Sequence, residues 1–508
     1  MKTNGKNGRA SRSLGLAAIL ACWCSSTALA QTNEIPSKQV ILEIDSGVAY
    51  NPGDQPQTVI GFHVYSEGAG WMRLYFSDVE LSGNVAAGTG SILKITSTRD
   101  GYYQTLNATT VQQWRNSSAY FNGDMVLVEI IAYPGTGNNR IVVDRADVGL
   151  IPQPTETICG TDNRELSNDP AAARLMPIGC TGWIIDDACG CMNTAGHCVG
   201  GSNVIQFNVP LSNGNGSLNN PPPQHQYAVD ASSKQGIGAG IGNDWGYLGA
   251  FPNSNTGLTP RQAQGAQFTF SSPPPFNPNQ QIRITGYGVD STPSSHNQVQ
   301  QTSAGPWVTF TGTTLQYRTD TEGGNSGSPV IHEATGNAIG IHTHGGCNSG
   351  GGGQNSGTAG SHPGLQNALA NPRGVCLKLV CPPPSVTVNN GIGVNPLCFS
   401  AQNQPILGMT WNTRVDATGV PGAQWSIVMA RLSGGSRILD NGGELLLNLS
   451  STQIFSSFQA GGGVTNHAYA IPDNPSLGGQ TWVVQGLVGS GESVLRLCNA
   501  LNVTIGCE

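Results

Sequence analysis

The chain has 508 residues, a formal net charge of −7 and only 10% charged residues. At roughly 100–200 residues per domain this length asks for about three domains, so one compact domain is excluded. The 70 glycines leave little room for long helices, while 38% hydrophobic residues can still fill cores, so the composition reads as all-β and loop-rich rather than disordered.

Lys2, Lys6, Arg9 and Arg12 precede the apolar run Leu14 to Cys24, and Ala28-Leu29-Ala30 supplies small residues. This is the pattern of an export signal over residues 1–30, with cleavage expected after Ala30. No later apolar run approaches the roughly 18 residues of a membrane span, so the expected product is secreted, extracellular or periplasmic. Without residues 1–30 the chain holds 19 basic against 30 acidic residues, which speaks against nucleic acid and anionic membranes as partners. Eleven cysteines remain, an odd number, in a compartment where disulfides persist. Eight of them fall between 159 and 381 and three between 398 and 507, which is a first domain map.

Residues 31–150 show short β-type runs, among them Val40 to Ile44, Met72 to Phe76 and Met125 to Ala132, separated by turn residues such as Asn51-Pro52-Gly53-Asp54 and Asn122-Gly123-Asp124. The spacing predicts a β-sandwich, serving as a pro-region or an accessory domain. Ile151-Pro152-Gln153-Pro154-Thr155 reads as a linker over 151–158. A middle domain follows over 159–381, with polar surface loops at Asn213 to Pro223 and Gly350 to Gly360. Pro382-Pro383-Pro384 marks the next boundary, and Trp411, Trp425 to Met429, Leu445 to Leu449 and Trp482 to Leu487 predict a second sandwich over 382–508. Trp71, Trp114, Trp411 and Trp482 also raise a carbohydrate-binding reading for the flanking domains, against the commoner role of tryptophan in a core.

Three short stretches of the middle domain stand apart: Thr194-Ala195-Gly196-His197-Cys198, Asn243-Asp244-Trp245-Gly246 and Gly323-Gly324-Asn325-Ser326-Gly327-Ser328-Pro329. They offer a base, a carboxylate and a nucleophile. A serine hydroxyl attacks only when a neighbouring imidazole takes its proton, and that imidazole needs an anion on its other nitrogen. Glycines around the serine let two backbone N–H groups converge on a developing oxyanion. Asp230 is the competing carboxylate, since it too follows a β-like run.

In this order these motifs resemble the chymotrypsin-like serine proteases, over roughly residues 160–376. The resemblance implies two six-stranded antiparallel barrels with the site between them. It makes His197 the general base, Asp244 its orienting partner and Ser326 the nucleophile, with Gly324 and Ser326 donating the oxyanion-hole N–H groups. It further implies disulfides Cys180–Cys198 and Cys159–Cys347. Within the family, Gly160-Thr161-Asp162-Asn163-Arg164 and Gly340-Ile341-His342-Thr343-His344-Gly345-Gly346 are similar to the bacterial glutamyl endopeptidase branch. That likeness implies that Thr321 and His342 bind a substrate glutamate carboxylate, which requires Asp320 either to point away from the pocket or to hydrogen-bond to His342 from behind and hold it charged. An Asp320 projecting into the pocket would instead select Arg or Lys.

His342, His344 and Cys347 also admit a metal reading, but no carboxylate completes a set, and neither a metal nor a cofactor is expected. Cys189-Gly190-Cys191 reads as structural rather than redox-active. The expected function is a serine endopeptidase acting on protein or peptide substrates. The alternative is a catalytically silent protease-like fold used for adhesion or binding, with a surface ligand on the sandwiches.

Overall fold

The computed structural model describes residues 29–30, 33–85, 88–150, 158–377, 382–472 and 477–507. Most of the expected signal peptide and the linker stretch 151–157 lie outside the described residues. The chain divides near Cys376 into two compact units, and each is built almost wholly from antiparallel strands. No helix among the described residues is long and apolar enough to cross a membrane.

In the first unit, residues up to 149 form two sheets. One contains Ser37–Asp45, Asn138–Gly149, Trp71–Glu80 and Phe121–Asn122, and the other Gln57–Tyr65, Met125–Ala132, Ile92–Ser97 and Tyr103–Leu106. Met125–Ala132 shows why the alternation was legible: every second residue is buried, and Val126, Val128 and Ile130 enter the core between the sheets. Trp71 and Trp114 sit in that core at 2% and 3% exposure, so they offer no stacking platform for a sugar.

The rest of this unit is two barrels of six strands, the architecture of the chymotrypsin fold. Ala172–Pro177, Cys180–Ile184, Met192–Thr194, Asp244–Ala250, Gln226–Gly238 and Ser202–Gln206 close the first. Gln281–Gly286, Gln301–Thr311, Thr314–Tyr317, Asn355–Ala359, Asn337–Gly345 and Pro329–His332 close the second. Leu29–Ala30 adds to the second barrel's sheet, pairing antiparallel with Gly345 and His344. Disulfides join Cys180 to Cys198, Cys159 to Cys347 and Cys191 to Cys376. Cys347 and Cys191 are thereby committed to structure, which removes the thiolate from the His342-His344-Cys347 metal reading.

In the second unit, Ser385–Asn389, Ser493–Thr504, Thr481–Ser490, Trp425–Arg431 and Gln453–Ala460 form one sheet, and Phe399–Ala401, Thr410–Asp416 and Val464–Ala470 another. Trp411 and Trp482, each 1% exposed, fill the shared core and again serve packing rather than sugar binding. The Cys398–Cys498 disulfide ties the two sheets across a separation of 100 residues. Replacing both cysteines by serine is expected to destabilise this unit by about 2–5 kcal/mol, read as a lower melting temperature; an unchanged transition would show that the bond closes a loop already closed by packing.

Candidate active site

His197 lies in the short helix Gly196–Val199, directly after the strand Met192–Thr194. Asp244 opens the neighbouring strand Asp244–Ala250, whose first residues run beside that helix. The pairing of Met192 to Thr194 with Leu248 to Gly246 sets the register that brings the two together. Asp244 is 1% exposed and accepts twice from His197: its Oδ2 is 2.6 Å from Nδ1, and its Oδ1 takes the backbone N–H at 3.1 Å. Its own backbone N–H donates to Thr358 Oγ1 of the second barrel. His197 Nε2 is buried and has no hydrogen-bond partner among the described residues. Asp230 stands elsewhere, accepting from Ser232 and from the Val375 N–H, so Asp244 is the carboxylate that meets the imidazole.

Ser326 occupies the turn between Thr314–Tyr317 and Pro329–His332. The first barrel holds this turn from several sides. The Thr181 N–H donates to Ser326 O at 2.8 Å, and the Thr181 hydroxyl donates to Gly324 O at 2.9 Å while accepting from the Tyr287 N–H. Trp183 Nε1 donates to Gly327 O at 3.0 Å. The Cys180–Cys198 disulfide links these strand residues to the helix of His197, and Cys198 Sγ lies 3.8 Å from Ser326 O. Ser326 and His197 thus belong to one packed cluster. The Ser326 hydroxyl donates to Thr343 O at 3.2 Å. The N–H groups of Asn325, Gly327 and Ser328 donate to Glu322 O, His342 O and Asn325 O, whereas those of Gly324 and Ser326 meet no acceptor among the described residues.

Two glycines make this turn possible. Gly324 and Gly327 have φ of +104° and +93°, a region that favours glycine, and a Cβ on Gly327 would collide with Thr181 O and Thr194 Oγ1. Gly327→Ala is therefore expected to displace Ser326 and to lower any serine-dependent activity by about 100-fold or more. Kinetics beside a circular-dichroism melt check it, and wild-type rates in a folded variant would refute it.

His342, in Asn337–Gly345, is fully buried. Its Nδ1 lies 2.7 Å from the Tyr317 hydroxyl. Burial pushes its pKa down to about 3, and the nearby His344 and His197 add to the effect. Thr321 Oγ1 accepts from Asn355 Nδ2 at 2.8 Å. Asp320 is turned toward the start of the domain: its carboxylate oxygens accept the N–H groups of Cys159 and Asn163, each at 2.8 Å. Of the two arrangements open to Asp320, this is the one directed away from His342, whose Nδ1 meets Tyr317 instead. Burial raises the Asp320 pKa, and the two backbone donors oppose that shift.

Thr181, Trp183, Thr194 and Tyr317 were not singled out from sequence as site residues. Their signal was weak because they act through hydrogen bonds to partners elsewhere in the chain, Thr181 reaching Gly324 across 143 residues. Cys180, His197 and Cys198 also bring potential ligand atoms within 4.8 Å of one another. Both sulfurs are spent in a disulfide, so this group is not a metal centre.

No curated protein matches the sequence. Among solved structures, a Glu endopeptidase in complex with MPD aligns at 18% identity and a TM-score of 0.33, covering 42% of this chain and 97% of that one. The thermostable serine protease AL20 from an extremophilic microorganism aligns at 17% identity and a TM-score of 0.32, covering 40% and 96%. A mutant of human heparin binding protein aligns at 14% identity and a TM-score of 0.30, covering 42% and 95%. In sequence, residues 180–341, which hold His197, Asp244 and Ser326, match the family model of the trypsin-like peptidase domain.

Proposed function

We propose that this protein is a secreted serine endopeptidase that cleaves peptide bonds through an acyl-enzyme on Ser326, with a preference for Glu before the scissile bond. The observation that carries the reading is the double grip of buried Asp244 on His197, with Nε2 of the same ring left without a partner. A proton held on Nδ1 by a carboxylate leaves the Nε2 lone pair as the base. For the transfer the Ser326 hydroxyl leaves Thr343 O and donates to that base; such bonds are often unmade before substrate binds.

In the first half-reaction the Ser326 proton passes to His197 Nε2 as Oγ bonds to the scissile carbonyl carbon. The carbonyl oxygen takes up the charge against the N–H groups of Gly324 and Ser326. The imidazolium then gives its proton to the leaving amine, the C–N bond breaks and an ester remains on Ser326. Water repeats the sequence and releases the acid. Substrate backbone recognition has a direct support: the strand edge at His344 and Gly345, beside Ser326, already pairs antiparallel with the extended segment Leu29–Ala30. An edge that accepts one extended backbone can accept another. Export is supported by the disulfides, which persist in oxidising compartments.

The silent-binder reading draws on the Ser326 hydroxyl being engaged by Thr343 O rather than by His197. A fluorophosphonate probe separates the two, because it labels only an activated serine. Labelling of the wild type that disappears in Ser326→Ala is the expected result. A folded wild type that resists the probe would establish the silent fold.

A further inference from the structure

The N-terminal domain does not close its own core. Met176, Val204, Leu218 and Ala228 of the first barrel are buried in the same apolar cluster as Trp71, Val128 and Ile141. The backbone continues the contact, with the Ile35 N–H donating to Pro177 O at 2.8 Å and the Asn33 N–H to Gly179 O at 3.2 Å. Asn255 of the protease domain accepts the Thr105 N–H at 2.8 Å and donates to Tyr103 O at 2.7 Å.

Polar groups that the barrel buries are completed by the other domain. Gln226 is fully buried; its Oε1 accepts the Tyr120 N–H at 3.0 Å and its Nε2 donates to Tyr120 O at 2.8 Å. Gln206 links Gln226 to the fully buried Arg174, accepting from its guanidinium at 2.7 and 2.9 Å. No carboxylate among the described residues pairs with Arg174. Its remaining acceptors are Gln298 O, Asn219 O and Asn220 Oδ1. Asn220 is in turn clamped by Asn122, which accepts its N–H at 2.7 Å and donates to its carbonyl at 2.9 Å. A buried guanidinium without an anion is tolerable only while every donor is satisfied. Gln298 also packs against Gly324, the glycine of the serine turn.

We propose that residues 33–150 are a permanent, non-covalently held part of the catalytic module, so that cutting the linker over 151–157 leaves both pieces in one particle. Departure would expose the shared core and strip hydrogen bonds from Gln226, Asn220 and, through Gln206, Arg174. A released pro-region needs a separable surface, and this interface is instead continuous with the barrel's interior. The inference does not depend on the peptidase reading, since its readout is physical association.

The test replaces residues 151–157 by the recognition sequence of a site-specific protease, in the full chain carrying Ser326→Ala so that no self-cleavage intervenes. After complete cutting, both fragments are expected in one peak on gel filtration in native buffer and to part only in denaturant. A second measurement uses Asn122→Ala in the cut chain, where dilution is expected to release the N-terminal fragment at concentrations about tenfold higher or more, as buried donors lose their partners. Separation of the cut fragments in native buffer, with the larger piece still melting cooperatively, would overturn the proposal. So would an Asn122→Ala chain that dissociates no more readily than its parent.

Discussion

Ser326→Ala is expected to lower kcat/KM on peptide substrates by about 10⁵–10⁶-fold, and His197→Ala by a similar factor, with the double variant scarcely worse than either single one. In the proposed mechanism nucleophile and base act as a unit, so removing one leaves the other with nothing to do. Asp244→Asn is expected to cost about 10⁴-fold while leaving the fold intact. Asp244 accepts from both Nδ1 and the backbone N–H of His197. An asparagine keeps its carbonyl on the stronger geometric demand, the fixed backbone donor, and turns its amide N–H₂ toward Nδ1. The ring must then carry its proton on Nε2, the wrong tautomer for accepting from Ser326. Steady-state kinetics with a melting curve for each variant checks the series. A Ser326→Ala protein that still hydrolyses peptide at near wild-type rates would remove the acyl-enzyme mechanism. An Asp244→Asn protein with full activity would leave His197 oriented by other contacts.

The parts of this arrangement that could be read from sequence are those in which local chemistry and local geometry coincide. Ser326 announces itself because Gly324 and Gly327 are required within three residues of it, by positive φ in both cases. Met125 to Ala132 announces itself because one face is buried and the other half-exposed. The strands Ala172–Pro177 and Cys180–Ile184 carry no such alternation: nearly every residue is buried, since both faces are covered, and their period is therefore silent. Thr181 and Trp183 lie on the second of these strands, which the β-type residues Thr181 to Ile185 make legible, but their hydrogen bonds to the serine turn reach partners far away in the chain. The integration of the N-terminal domain was hidden for a different reason. Gln206, Gln226 and Asn220 are ordinary polar residues in sequence, and only burial turns them into obligatory hydrogen-bond partners. Asp320 illustrates the converse, a residue that its position in the motif singles out but whose direction the motif does not give. Its carboxylate goes to the Cys159 and Asn163 N–H groups because a domain's first segment brings its own unsatisfied backbone donors.

That direction leads to the second large effect, in substrate choice. With both Asp320 oxygens accepting from backbone donors, the proposed preference for Glu rests on His342 and Thr321 rather than on Asp320. His342 is neutral at physiological pH, because its pKa is lowered to about 3 by burial. The Tyr317 hydroxyl lies 2.7 Å from Nδ1, and with that hydroxyl as the donor the neutral ring carries its proton on Nε2. A neutral donor can receive the amide of Gln at no electrostatic cost. A Glu carboxylate entering the same site is a buried anion, and it raises the imidazole pKa until the ring takes up a proton and becomes its counter-ion. Glu binding near neutral pH is therefore expected to take up one proton per site and Gln binding none, measured by calorimetry of product-like peptides on Ser326→Ala in buffers of different ionisation enthalpy. The sign for activity follows: because solvent must supply that proton, the Glu-to-Gln ratio of kcat/KM falls as pH rises, although His342 carries no charge to lose in the free enzyme. His342→Ala is expected to reduce Glu cleavage by about 10²–10³-fold, the equivalent of removing one partner of a buried ion pair at about 3–5 kcal/mol. Tyr317→Phe frees the tautomer and is expected to narrow the Glu-to-Gln ratio about tenfold with little change on substrates that leave the pocket empty. A Glu-to-Gln ratio of one at every pH, or a preference for Arg or Lys that vanishes in Asp320→Ala, would assign the pocket to another residue class while leaving the serine chemistry standing.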